Sequence, residues 1–500
     1  MFEITSDDIA KLNDEQLRAV VARLCEGELR QRGHSPVHVT WGGDQDATDG
    51  GIDVRVALPA GTSTNGFVPR PATGFQVKQQ DTPPGKIRDE MLPHGVIRPA
   101  IQKLADLGGA YIIVSSDGST TDTALCARRD AMREAVRDIP NTESLLLEFY
   151  DRTRIATWMR CHEGLIPWVR TLVGRAVPGW QSYGSWASPS ESLTIEYLTD
   201  QKARLYPSNG TSEQGLSVVD GIKALRNELC QPQRAVRLVG LSGVGKTRLA
   251  EALFDERIGS DSLDPALALY TNMSDAPEPQ PVSLASDLVV AGTRGVLVVD
   301  NCPQDLHRRL SAVCRQAGSN LSLLTVEYDI REDTPEGTQV YTLAASSPEL
   351  IEELLRRCFP NLSAVDRQTI AATDFCGGNA RIAIALAATV QQQETLAGLS
   401  DDDLFQRLFH QRHPHDSSLL LSAQACALVY SFQGEDSQVR RVISRVSVPS
   451  SDRRRRNCTA ASRNCCSATL PSAGASGVRS CHTPLPIDSP LKDSVPFRRA

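Results

Sequence analysis

The 500-residue sequence has no apolar run approaching the ~20 residues that cross a bilayer; its longest spans only residues 382–390. It also has no basic-then-apolar leader. The opening MFEITSDDIAKL is acidic, which argues against secretion and for a cytoplasmic protein without membrane contact. Its 13 Cys include no CxxC pair and no Cys/His ligand spacing, which fits reduced thiols better than a disulfide framework or a zinc site. No internal repeat is visible. There is no overall positive charge either: residues 440–500 carry a net +9, so the total of −7 leaves −16 on the first 439 residues. An acidic body lacks the broad footprint of a nucleic-acid binder, so any DNA contact must rest on a local patch. What is present is ordinary: 40% hydrophobic and 23% charged residues exclude a fully disordered chain. At roughly 150 residues per domain the length suggests about three domains.

The chain changes character along its length. Residues 1–176 alternate helix-like and strand-like segments, with strand signals at 51–57, 75–79, 111–115 and 145–150. Residues 177–192, VPGWQSYGSWASPSES, read as a linker or a docked loop, and the linker is expected to extend to 215. Trp180 and Trp186 within it are expected to be docking anchors. A second α/β region follows over 216–345, with apolar strands at 236–239, 296–299 and 323–326. Residues 346–412 look helical, and 413–438 would begin a truncated winged-helix-like domain.

From 439 to 500 the helical periodicity fails, and Ser, Arg, Pro and clustered Cys dominate. Evolved disordered tails are usually poor in Cys. The bases that encode SCHTPLPIDSP (480–490) can read roughly LPHAIANRLA in a shifted frame, an amphipathic helix-like string. A frameshift near residue 438 and a basic, solvated, disordered tail are the two readings.

One motif is chemically specific. Gly240-Leu-Ser-Gly243-Val-Gly245-Lys246-Thr247 is a GxxxxGK[ST] loop between an apolar strand and a helical run. Its glycines let backbone N–H groups wrap phosphates at a helix start. Lys246 would reach the β/γ-phosphates and Thr247 would bind Mg²⁺. GVLVVDNC then ends a strand in Asp300, placed to hold the Mg²⁺ shell or simply to cap a loop. Asn301 follows where a second acid often stands; it can position water but cannot take its proton, which suggests slow hydrolysis, as in a switch. Thr325, at the end of the next strand, is a candidate γ-phosphate sensor. With CGGNARIAIALA (376–387), this order resembles the STAND class of P-loop ATPases, relatives of the AAA+ fold. The resemblance spans about residues 216–433. It implies ATP and Mg²⁺ as cofactors, a helical lid, a homo-oligomeric switch, a fused effector domain and a C-terminal sensor for an unknown trigger. The lid turn of this class carries a Pro that is missing beside Asn379-Ala380, which puts its contact with nucleotide in doubt.

A second constellation lies upstream. If strand 51–57 pairs with strand 75–79, alternation places Ile52, Val54 and Val56 on one face and Asp53 on the other, beside Gln76 and Lys78. An acid and an amide oxygen can hold Mg²⁺, and a lysine can activate or stabilise the attacking water. Glu28 falls in the apolar stripe of Leu17, Val20, Val21, Leu24 and Cys25, where a carboxylate needs a partner such as a metal, unless the helix end frays. Lys86, Arg88, Arg152 and Arg154 are either phosphate contacts or solvated faces. DGGID (49–53) with QVK (76–78) resembles the Mrr-type branch of the PD-(D/E)xK nucleases, over about residues 10–170. That resemblance implies a restriction-endonuclease-like fold and Mg²⁺-dependent DNA cleavage; a decayed or purely structural α/β domain is the alternative. The expected protein is thus an α/β chain: a nuclease-like domain, a P-loop core with a helical lid, and a disordered tail. It would act as an ATP-gated DNA endonuclease, in antiphage defence by analogy with such fusions. An ATP-driven restriction motor and a non-catalytic regulator are the rivals.

Overall fold

The computed structural model describes residues 2–42, 51–118, 121–184, 186, 197–208, 215–327, 337–373 and 376–390, with two short strands at Ser431–Phe432 and Val478–Arg479. Asp49 and Gly50 of the DGGID motif, the lid beyond 390, the winged-helix-like segment and almost all of the tail lie outside the described residues.

The first unit opens with α1 (Ser6–Ile9) and α2 (Asp14–Gln31), each begun by a capping box at Thr5 and Asn13. Next come β1 (Val39–Trp41), β2 (Val54–Ala57), β3 (Ala72–Lys78), α3 (Pro84–Met91), α4 (Pro99–Asp106), β4 (Ala110–Ser115), α5 (Asp122–Ala135), β5 (Leu146–Asp151), α6 (Arg152–Met159) and α7 (Ile166–Leu172). The strands form one sheet in chain order, antiparallel from β1 to β3 and parallel from β3 to β5. Leu17, Val20, Val21 and Leu24 of α2 pack with Trp158 against Val54, Val56, Phe75 and Val77 on one face. Ile87, Met91, Ile101 and Met132 of α3 to α5 cover Tyr111, Ile113 and Phe149 on the other. The expected alternation fails at one place. β2 starts only at Val54, and Ile52, before it, joins the α3–α5 side rather than that of Val54 and Val56.

The second unit is a larger sheet. Its elements are β6 (Trp180–Ser182), β7 (Arg204–Pro207), β8 (Leu216–Ser217), α8 (Val218–Leu229), β9 (Ala235–Val239), α9 (Lys246–Ala252), β10 (Ala268–Asn272), α10 (Pro281–Val290), β11 (Gly295–Asp300), α11 (Gln304–Cys314), β12 (Leu321–Val326) and β13 (Gln339–Leu343). The order is β6-β10-β11-β12-β9-β13-β7-β8, parallel from β10 to β13 and antiparallel at both margins. Parallel strands are covered by their crossover helices, so β9, β11 and β12 are buried along their whole length. Ile222, Leu225, Leu249 and Ala250 of α8 and α9 cover one face; Leu284, Leu288, Leu306 and Leu310 of α10 and α11 cover the other.

The stretch 177–215, expected as a linker, contributes two strands to this sheet. Edge strand β6 pairs with β10, and β7 pairs with β13. Trp180 donates from Nε1 to the Pro279 carbonyl at 2.8 Å, and Trp186 stacks on Tyr270 at 4.3 Å. A helical cluster follows: α12 (Pro348–Cys358), α13 (Ala364–Ala372) and α14 (Ala380–Val390), closed by Ile351, Leu355, Ile370 and Leu386. No helix among the described residues is long and apolar enough to cross a membrane.

Candidate functional site

In an open parallel sheet the groups that meet a ligand lie beyond the carboxyl ends of the strands. At that end of β9 the chain turns through Gly240–Gly245 into α9. Gly243 has φ +82°, and a Cβ there would come within 2.2 Å of Asn379 Oδ1. Gly245 precedes α9 at φ +99°. Both positions suit glycine and little else.

Lys246 is buried and donates to the Gly240 and Leu241 carbonyls, at 2.9 and 2.7 Å. Burial pulls its amine down to about 8, while Asp300 and Glu327 push the other way. Thr247 donates to Asp300 Oδ2 at 2.6 Å, although β12 separates the two parent strands β9 and β11. Lys246, Thr247 and Asp300 thus gather at one strand end with the loop glycines. An ammonium, a hydroxyl and a carboxylate form a donor set that fits a Mg²⁺–nucleoside triphosphate.

Two expected residues are placed otherwise. On β12, Leu324 and Val326 face the α8–α9 side with the loop, so Thr325 points to the opposite face. There it is fully buried and bonds His307 Nδ1 at 2.8 Å, which removes it as a phosphate sensor. Glu327, just beyond the carboxyl end of the same strand, does reach Lys246 with its charge, after Asp300. Asn301 sits at φ +52° and donates from Nδ2 to Asn272 Oδ1 at 2.9 Å, so its amide is held toward β10.

Two residues stand on the loop's margins: Asn379, which the sequence already places in the lid turn, and Tyr270, which it does not single out. Asn379 donates to the Ser242 carbonyl at 2.7 Å, so the lid turn touches the loop despite its missing Pro. Tyr270 donates to Asp300 Oδ2 at 3.2 Å, and the hydroxyl is raised by burial and then by that carboxylate. Tyr270 carries no local signature, because it acts from a different strand.

In the first unit, Asp53 lies across from Gln76 on the neighbouring strand, and Gln76 and Lys78 meet at Glu90. Asp53 N–H donates to the Phe75 carbonyl, and Val77 N–H donates to Asp53 Oδ2 at 2.7 Å, which sets Asp53 across from Gln76. Arg18 of α2 lies 3.7 Å from Asp53 Oδ1. Glu90 of α3 joins the group unannounced: Gln76 Nε2 donates to Glu90 Oε1, which is also 3.6 Å from Lys78 Nζ. Asp14 is near as well, accepting from Gln79 N–H at 2.6 Å.

Glu28 is not part of this site. It lies ten residues beyond Arg18, about 15 Å along α2. Arg32, the Trp158 indole at 3.0 Å and His162 at 3.5 Å partner it. Burial raises its carboxyl, and these partners more than offset that, so the net shift is downward. Its place in an apolar stripe is thus explained by protein partners. Lys86 and Arg88 are exposed on α3, whereas Arg154 packs over the Tyr150 ring at 4.4 Å.

Among the described residues no group of three or more His, Cys, Asp or Glu side chains is placed to hold a metal. Mg²⁺ does not require one, since it is usually held by one or two carboxylates with water and substrate phosphate.

No family model and no curated protein matches the chain. Solved structures do. The Aeropyrum pernix ORC2 protein, in ADPNP–ADP complexes, matches at 14% identity and TM-score 0.27, over 55% of this chain and 92% of that one. A Pyrococcus horikoshii STAND protein with a tetratricopeptide repeat sensor matches at 12% identity and TM-score 0.26, over 48% of this chain and 37% of its own. The FIGL-1 AAA domain in complex with ADP matches at 14% identity and TM-score 0.25, over 47% and 97%. Likeness this remote leaves the reading of the chain to its own geometry. That geometry is an α/β unit with a P-loop core, preceded by a second α/β unit.

Proposed function

We propose that the chain is an ATP-gated DNA endonuclease, in which a STAND-type P-loop unit controls a Mg²⁺-dependent, Mrr-like nuclease unit, in cytoplasmic antiphage defence. The observation that carries this reading is Asp53 bonded into β3 across from Gln76, with Lys78 beside it at one end of the first sheet, on a chain that also presents a P-loop. In the P-loop unit, Lys246 exchanges its carbonyl partners for phosphate oxygens. Thr247 and Asp300, already in contact, hold the cation side. In the nuclease unit, Asp53 would hold Mg²⁺, which would supply Lewis-acid activation of the phosphodiester, and Lys78 would offer its ammonium to the attacked phosphate.

Asn301 cannot accept a proton from water, and its amide is committed to Asn272. The P-loop unit therefore works as a slow switch, by shifting populations between nucleotide states, and not as a motor on DNA. A homo-oligomer formed in the ATP state would bring nuclease units together on DNA, in response to a trigger sensed by the C-terminal part.

The test incubates the full chain with plasmid DNA and Mg²⁺, with and without ATP, beside Asp53→Ala and Lys246→Ala. Cleavage that Asp53→Ala abolishes, and that needs both ATP and Lys246, supports the reading. Cleavage indifferent to Asp53 refutes the nuclease assignment, and cleavage indifferent to ATP refutes the gate.

A further inference from the structure

The resemblance to Mrr-type enzymes makes Gln76 a metal ligand through its amide oxygen. The side-chain network assigns that amide a different part. Gln76 is buried within β3, between Tyr111 of β4 and Glu90 of α3. The Tyr111 hydroxyl donates to Gln76 Oε1, and Gln76 Nε2 donates to Glu90 Oε1. Burial raises the Tyr111 hydroxyl well above the usual phenol range, which keeps it a neutral donor. The amide is therefore fixed one way round. Turning it over would set its oxygen against a carboxylate oxygen, two acceptors with no proton between them. Its acceptor faces the interior and its N–H faces the site. An N–H cannot bind a cation.

Glu90 stands where the missing oxygen is needed. Arg98 fastens it twice, from Nε to the Glu90 carbonyl at 2.6 Å and from Nη2 to Oε1 at 2.8 Å. Lys78 and Gln76 crowd the same Oε1. Oε2 has no hydrogen bond among the described residues, and the side chain is partly open to solvent. Across the strand pair, Asp53 flanks the same Gln76. Two carboxylates thus border one amide that can serve neither as acid nor as ligand.

We propose that Glu90 is the second carboxylate ligand of the divalent cation, opposite Asp53, and that Gln76 is a positioning residue that aims it. The acid expected two residues before Lys78 is supplied instead from twelve residues beyond it, on the helix that follows the strand. This assignment rests on the nuclease reading above. It makes Gln76 a support of the kind whose loss weakens a metal site about 10- to 100-fold, and Glu90 a ligand whose loss costs more.

The test is a Mn²⁺ titration of the full chain without nucleotide, followed by electron paramagnetic resonance, for wild type, Asp53→Asn, Glu90→Gln, Glu90→Asp and Gln76→Leu. Plasmid cleavage is measured in parallel. Far-UV circular dichroism and binding of a fluorescent ATP analogue at the distant P-loop confirm that each variant is folded. Expected are a Mn²⁺ site lost in Asp53→Asn and weakened more than about 100-fold in Glu90→Gln. Glu90→Asp keeps the carboxylate and retains much of the binding, and Gln76→Leu weakens it less than Glu90→Gln does. Wild-type affinity in Glu90→Gln, with the site lost in Asp53→Asn, overturns the role of Glu90 and leaves the nuclease reading standing. A larger loss in Gln76→Leu than in Glu90→Gln returns the ligand role to Gln76. Absence of any Asp53-dependent Mn²⁺ site in wild type removes the nuclease reading and this assignment together.

Discussion

The P-loop site and the Asp53 site both lie at the end of a sheet with helices on its two faces, yet they are put together differently. In the second unit, eight consecutive residues, Gly240 to Thr247, supply the loop, the ammonium and the hydroxyl, and one further strand supplies Asp300. In the first, α2, β3, α3, β4 and the residue just before β2 each send one or two side chains, and only Gln76 and Lys78 are near neighbours in sequence. A loop that carries its own chemistry tolerates change in the surrounding fold. A site assembled from five elements depends on each of them.

Variants can sharpen or break this contrast. The largest effect is expected at Gly243, because a side chain there meets both the positive φ and Asn379. Gly243→Val should weaken ATP-analogue binding roughly 100-fold while the thermal melt of the first unit stays in place. A melt that falls throughout would show that the loop is less self-contained than it looks. Next is Tyr111→Phe, which strands a buried Gln76 oxygen and should cost about 1–3 kcal/mol in denaturant unfolding. It should also loosen Mn²⁺ binding, and unchanged binding would argue that the site is not assembled through β4. Asn379→Ala removes both the Ser242 contact and the cap of α14, where Arg381 and Ile382 N–H donate to its Oδ1. About 1 kcal/mol of stability should be lost, with a smaller effect on ATP affinity than at Gly243.

The smallest effect concerns the seam between the units. Burial raises the Glu163 carboxyl to about 7, partly offset by the hydroxyl of Thr293 at 2.9 Å. Its folded value exceeds the unfolded one, so the folded chain holds the extra proton. The associated stability is complete below the unfolded value near 4.5 and fades as pH rises toward 7. Glu163→Gln should flatten the melting temperature between pH 5 and 8; an unchanged slope would place that titration elsewhere.

How much could be read beforehand follows the same division. The strands of 236–239, 296–299 and 323–326 were legible because buried parallel strands are continuous apolar runs, and the loop because its glycines and Lys-Thr pair are contiguous. Thr325 was misread, since a wholly buried run carries no alternation to show which face a side chain takes. Glu28 was rightly singled out as a buried acid, but a stripe on one helix cannot reveal that Arg32, Trp158 and His162 satisfy it. Glu90 was invisible for the converse reason. It lies near the end of a short, mostly exposed helix and resembles any surface acid until β3 and β4 place Gln76 and Tyr111 beneath it. Strand β6 was hidden in a stretch rich in Gly, Pro and Ser, and β7 in the expected linker beyond it, because marginal strands borrow their order from a neighbour.

That last feature has a mechanical side. β6 begins only eight residues after α7 ends and is hydrogen-bonded directly into the margin of the second sheet. The first unit is therefore mounted on the second like a bracket, with no slack tether between them. A loose linker would let one unit search space freely and would pass on almost no torque. In the homo-oligomer proposed above, such a mounting would turn a rotation of one P-loop unit against another into a rotation of the attached first units, so the spacing of two Asp53 sites would become a readout of how the P-loop units are stacked.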